Sequence, residues 1–224
     1  LCSTNLLVST PLGFSFCFEE YQMKIIIVGA AGTIGKEVVS ILARNHDIVR
    51  VGSRSGDVQC DYTDPAAVQA MFEQVGQFDA LISVVGSDSV FKPLYETEEQ
   101  DYRYGFERKF LSQIRLLRLG EQFVCDRGVF VFTSGFLSHY PHPMSSATSP
   151  LNAAIDAFVR TAAPLLKRGI RLNVVSPAPV VEPGRQGRGL VTAEEAAQFY
   201  VEAVEGNATG QVLRAWGGLP VVTW

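Results

Sequence analysis

Residues 24 to 40 read KIIIVGAAGTIGKEVVS, and this run constrains the fold more than any other in the chain. Ile25 to Val28 form an unbroken β-branched run, the signature of a strand buried on both faces. An amphipathic helical pattern follows at once, separated from the strand only by a glycine-rich turn. In that context each glycine has a physical task. Gly29 permits the tight turn, Gly32 lets a phosphate approach the backbone, and Gly35 lets helix pack closely on strand. The spacing is GxxGxxG, a residue different from the commonest dinucleotide fingerprint. The residues expected to hold a nucleotide here are Gly29, Ala31, Gly32, Thr33, Ile34 and Gly35.

From Met23 onward, short apolar runs alternate with longer amphipathic ones: KIIIVGA, TIGKEVVSILARN, DIVRVGS, PAAVQAMFEQVG, DALISVVG. The second half continues the alternation through GVFVFTS, the helix after Pro150, RLNVVSP, TAEEAAQFYVEAVE and GQVLRAW. Helices between buried strands are what right-handed parallel crossovers require. The expected architecture is therefore α/β, a Rossmann-like doubly wound parallel sheet of about seven strands with helices on both faces. At 224 residues one domain is expected, over residues 23–224, with residues 1–22 as a loosely ordered N-terminal extension.

About 20 residues beyond the glycine turn, a site for NAD usually places Asp or Glu on the ribose hydroxyls. This chain has GSRSG instead. Ser53, Arg54 and Ser55 offer hydroxyl donors and a guanidinium fork, which suit the 2′-phosphate of NADP. Asp61 and Tyr62 are placed to border the adenine, with Asp61 equally suited to capping the next turn.

The formal net charge of -4 comes from interspersed residues of both signs, which leaves no basic stripe for a nucleic-acid backbone. Cys2, Cys17, Cys60 and Cys125 are far apart, without CxxC pairing or histidines at ligand spacing, so neither a metal site nor a disulfide framework is expected. The leading segment lacks the charge order of a secretory signal and is too interrupted to span a bilayer. A cytoplasmic protein with a small-molecule substrate, and with no nucleic-acid or membrane partner, is the expectation.

Several landmarks in order resemble the short-chain dehydrogenase/reductase family: GAAGTIG, DYTD at 61 to 64, DALISVVG at 79 to 86, VFTSG at 131 to 135, RGIRLNVVSP at 168 to 177 and TGQVLRAWGG at 209 to 218. The resemblance spans essentially all of residues 23 to 224. It implies a nicotinamide cofactor lying across the carboxyl ends of the strands, with Val85, Gly86 and Pro177 joining the residues that hold it. It also implies a homodimer or homotetramer. Wide apolar faces on helices 98 to 119 and 149 to 167, carrying Phe106, Phe110, Ile114 and Leu117 and then Ala154, Phe158 and Leu165, point the same way.

The family pattern fails in one place. Most members carry a Tyr, and a Lys four residues later, on a helix that here begins TSPLNAAID. Aligning the flanking segments puts Thr148 at the Tyr position and Asn152 at the Lys position. Thr148 is far too weak an acid to protonate the oxygen on which hydride transfer builds negative charge. Ser149 is expected to cap this helix, with Pro150 in its first turn.

Compensating groups are available. Ser134 matches the family serine at the end of its strand, and Lys109 falls roughly where the family commonly has an active-site Asn. The loop FLSHYPHPM offers His139, Tyr140 and His142 as proton donors, and Tyr140 joins Ser134 and Lys109 as a catalytic candidate. Ala178 stands where the majority pattern has Gly, and Arg185 or Arg188 in the short segment beyond would meet an anionic substrate. Two functions fit: an NADP(H)-dependent oxidoreductase acting on a small carbonyl or alcohol with a non-standard proton donor, or an NADP-binding sensor or scaffold without turnover.

Overall fold

The computed structural model describes residues 21–86, 90–185 and 187–220, with two short paired strands, Val8–Ser9 and Ser15–Phe16. The extension expected over residues 1 to 22 lies almost wholly outside the described residues, as do Ser87 to Ser89 and Gln186.

Seven strands build the main sheet: β1 (Lys24–Val28), β2 (Asp47–Gly52), β3 (Val58–Gln59), β4 (Phe78–Ser83), β5 (Val124–Thr133), β6 (Arg171–Pro177) and β7 (Val212–Ala215). Their spatial order is β7-β6-β5-β4-β1-β2-β3, and every neighbouring pair is parallel. The chain reverses its direction of travel across the sheet between β1 and β4, which opens a crevice at the carboxyl ends of those two strands. The fold is the doubly wound Rossmann-like one.

Strand alternation explains the unbroken apolar run of β1. Ile26 and Val28 pack with Leu81, Phe130 and Phe132 on one face, while Ile25 and Ile27 pack with Ile82, Val129 and Val131 on the other. Helices α1 (Thr33–Leu42) and α6 (Ala193–Glu205) cover the second face and touch one another. The first face is covered by α2 (Pro65–Val75), by a long helix, and by α5 (Thr148–Ala162). That long helix consists of α3 (Glu99–Gly105), a π-helical stretch Phe106–Leu111, and α4 (Ser112–Gly120).

Capping fixes several helix starts. The Asp64 carboxylate accepts from Ala66 N ahead of Pro65, and Thr192 and Glu195 form a reciprocal capping box on α6. Helix α5 departs from the sequence expectation. It starts at Thr148 with Ala147 as its cap residue and no side-chain cap, because the Ser149 hydroxyl is paired with Ser145 Oγ at 2.7 Å.

The apolar faces of the two helices expected to drive self-association are partly used within the chain. Phe110 meets both Phe106 and Phe158 edge to face, Phe158 stacks on Phe132, and Leu117 is buried. Tyr104, Leu111 and Leu165 remain exposed.

Candidate active site

A cavity of about 610 Å³ opens at the carboxyl ends of the strands. One wall is the glycine turn. Gly29 has φ +85°, and a Cβ there would stand 2.4 Å from Val84 O. A Cβ on Gly35 would stand 2.2 Å from Gly29 O, so helix α1 sits against the turn only because Gly35 has no side chain. Gly32 caps α1 with no side-chain hydrogen bond, which leaves first-turn N–H groups at the pocket wall formed by Gly32, Thr33 and Ile34. This is a cradle for phosphate oxygens, and the donor set fits a dinucleotide.

Gly52, Ser53, Arg54 and Ser55 line the far end, with Tyr62 beside them. No Asp or Glu lines the cavity among the described residues. The carboxylate of Asp57, two residues past Ser55, is tied to Arg50, accepting from Nη2 at 2.6 Å and from Nε at 3.0 Å, and that pairing lowers its pKa to about 2. The charge left at the rim beside Ser53 and Ser55 is the Arg54 guanidinium.

Of the other sequence candidates for the cofactor, Ala31, Val85, Gly86 and Pro177 line the cavity too. Gly35 lies behind the turn. Asp61 does not line the cavity; its Oδ1 accepts from the amide and hydroxyl of Thr63, which is the turn-capping role. Val84, Thr133 and Val180 line it as well and carried no sequence signal.

At the inner end lies Lys109, 7% exposed, from the π-helical stretch. Its Nζ donates to Ser134 O at 2.7 Å and to Asn152 Oδ1 at 2.9 Å. Its stem crosses Gly86 so closely that a Cβ on that glycine would lie 2.8 Å from Lys109 Cε. Burial pulls the ammonium down to about 8, against the field of Asp156, which raises it.

The π turn that carries this lysine is held by Gln113. Gln113 Nε2 donates to Lys109 O and Thr133 O, and its Oε1 accepts from Thr133 N at 2.7 Å. A buried amide thus couples the helix to the end of β5, a link that periodicity does not reveal.

Ser134 follows β5, its amide fixed on Val175 O at 2.9 Å. It is 2% exposed, lines the cavity, and its Oγ makes no hydrogen bond. Thr148 is turned to other use: its hydroxyl donates to Val90 O at 2.9 Å.

Tyr140 is not among the residues lining the cavity. Its hydroxyl donates to Pro220 O, and its ring sits between Phe136 and Trp216. His139 packs on Trp216 at 5.0 Å between ring centres, and His142 Nδ1 accepts from Met144 N. Arg185 and Arg188 are exposed and outside the cavity wall. The structure therefore brings together Lys109 and Ser134 from the catalytic candidates and leaves the loop residues aside.

Comparison with known proteins agrees with the fold. Residues 18–211 match the family model described as enoyl-(acyl carrier protein) reductase. The crystal structure of the protein lin1944 from Listeria innocua superposes with a TM-score of 0.81 at 34% identity, covering 87% of this chain and all of that one. A small-chain dehydrogenase solved in complex with NADPH gives a TM-score of 0.80 at 25% identity, over 88% of this chain and 98% of that one. An uncharacterized oxidoreductase of Methylorubrum extorquens is 23% identical, over 87% of this chain and 96% of its own length.

Proposed function

Since the chain belongs to the short-chain dehydrogenase/reductase family, we propose that it is an NADP(H)-dependent oxidoreductase that reduces a small carbonyl compound, with the Lys109 ammonium as proton donor. The observation that carries this reading is the pair of bonds from Lys109 Nζ to Ser134 O and Asn152 Oδ1 in the wall of the cavity.

A nicotinamide bound in this cavity supplies a hydride to the carbonyl carbon. Gly29, Gly32 and the first turn of α1 hold the pyrophosphate, and Ser53, Arg54 and Ser55 take the 2′-phosphate. Ser134 Oγ, which lines the cavity and makes no formed hydrogen bond within the protein, donates to the substrate oxygen and orients it.

As the C=O π pair moves onto oxygen, Lys109 gives that oxygen one proton. An ammonium has three N–H bonds and the neutral amine two. Two are committed to Ser134 O and Asn152 Oδ1, so both contacts persist after the transfer and the third proton is the one that leaves. The products are an alcohol, oxidised cofactor and a neutral Lys109. A group with a pKa of about 8 delivers a proton at neutral pH far more readily than an ordinary lysine does.

The test is titration with NADPH and NADH by cofactor fluorescence, followed by NADPH consumption over a panel of aldehydes and ketones. Tight NADPH binding with turnover, lost in Lys109→Gln, supports the reading. Tight binding without turnover on any carbonyl assigns the chain to a cofactor-sensing role, for which the diversion of the Thr148 hydroxyl to Val90 O is the structural basis.

A further inference from the structure

Four buried side-chain polar atoms among the described residues have no hydrogen-bond partner, and three of them are Ser134 Oγ, Asp156 Oδ1 and His139 Nδ1. These three residues meet behind Lys109. Asp156 follows Asn152 by one turn of α5, and both are 2% exposed, so they occupy the same buried face of the helix. A carboxyl group in such a place is costly unless it serves a nearby charge.

The groups facing it can be named. Asp156 Oδ2 accepts from Ser138 Oγ at 2.9 Å, with Gly135 O as the second, longer acceptor for the same hydroxyl proton at 3.1 Å. The carboxyl also lies close enough to the Ser134 hydroxyl to feel it, without the geometry of a formed bond. Burial pushes the carboxyl up from its ordinary value, while Ser134, Ser138, Arg160 on the same helix and His139 on the loop hold it down. The charged group that faces it from the long helix is Lys109.

We propose that Asp156 is a positioning residue for the reaction, a buried carboxylate behind Asn152 that keeps the Lys109 ammonium charged inside an apolar pocket until the substrate takes its proton. Asp156 neither gains nor loses a proton in the step. Asn152 fixes where the ammonium sits, and Asp156 sets how strongly its proton is held. The proposal deepens the reading of Lys109 as the acid and rests on it for its functional meaning, while its physical content is testable alone.

The experiment is a pH titration of the full-length protein, selectively ¹⁵N-labelled at lysine, following the Lys109 Nζ resonance assigned by its loss in Lys109→Gln. Asp156→Asn removes the negative charge with little change in shape, and the Lys109 midpoint is expected to fall by about one pH unit or more, with Asp156→Glu recovering part of the loss. A structural role alone would lower the melting temperature and leave the midpoint in place, and an unmoved midpoint overturns the proposal. Should Asp156→Asn fail to fold, Asp156→Ser removes the same negative charge and must move the midpoint the same way. No movement there overturns it equally. The pH dependence of NADPH oxidation separates the two ideas: a midpoint that falls while the rate profile stays fixed upholds Asp156 and rejects Lys109 as the acid.

Discussion

Lys109 Nζ donates to Asn152 Oδ1 across 2.9 Å, a bond that ties the long helix to α5 at the inner end of the cavity. The long helix delivers the ammonium and α5 supplies the amide that steadies it. The pair sets a cation at the inner end of the cavity, where Thr148 carries no phenol.

Lys109→Gln keeps a hydrogen-bonding side chain of similar reach and removes the dissociable proton. We expect kcat for carbonyl reduction to fall by roughly 10² to 10⁴, the usual worth of a positioned acid, with KM for NADPH little changed. Steady-state kinetics with varied NADPH checks this, and equal kcat values would remove Lys109 from the chemistry.

Swapping the two side chains tests the pair itself. Lys109→Asn and Asn152→Lys each leave two like groups facing one another and should be inactive or unstable, whereas the double variant regains a complementary pair. A double-mutant cycle should show coupling of about 1 kcal/mol or more; additive effects would mean the two positions act independently.

Arg54→Ala removes the one guanidinium that lines the cavity among the described residues. NADPH is expected to bind the parent at least tenfold more tightly than NADH, about 1.4 kcal/mol, and the variant should lose that gap. Fluorescence titration of both cofactors reads it directly. A parent that prefers NADH would contradict the assignment of Ser53, Arg54 and Ser55.

Gly86→Ala places a methyl group 2.8 Å from Lys109 Cε at a backbone φ of +146°, so it should displace the lysine as well as strain the loop. Gly35→Ala drives a methyl to 2.2 Å from Gly29 O and should unseat the whole α1 start. The expected contrast is loss of turnover exceeding loss of cofactor binding for Gly86→Ala, and loss of cofactor binding first for Gly35→Ala.

Stability carries the same signature. The folded protein holds Lys109 at about 8 against an ordinary 10.5, so between those pH values it binds fewer protons than the unfolded chain does. Unfolding free energy contributed by this group therefore rises with pH through that window and is at its lowest below pH 8. Denaturant titrations of the parent and Lys109→Met across the window should converge as pH rises.

Much of this was legible in the sequence because it rests on local patterns. The isoleucine run of β1, the three glycines after it and the GSRSG loop each obey a short-range rule, and the cavity wall includes most of the residues they named. The absence of Tyr and Lys from the start of α5 was equally plain. What could not be read were couplings across helices. The π turn that aims Lys109 depends on Gln113 reaching Thr133, and the burial of Asp156 depends on the path of the 135 to 139 loop. Tyr140 looked suited to catalysis by composition alone; its hydroxyl is spent on Pro220 O, a contact 80 residues away in sequence.

The most direct test of Lys109 beside the nicotinamide requires no substrate. Oxidised NADP carries a positive ring, which would lower the pKa of an adjacent ammonium and expel its proton near pH 8. Calorimetric titration with NADP⁺ in two buffers of different ionisation enthalpy measures the protons released on binding. The account predicts a substantial fraction of one proton released by the parent at pH 8 and none from that source in Lys109→Gln; identical proton release by both proteins would contradict it.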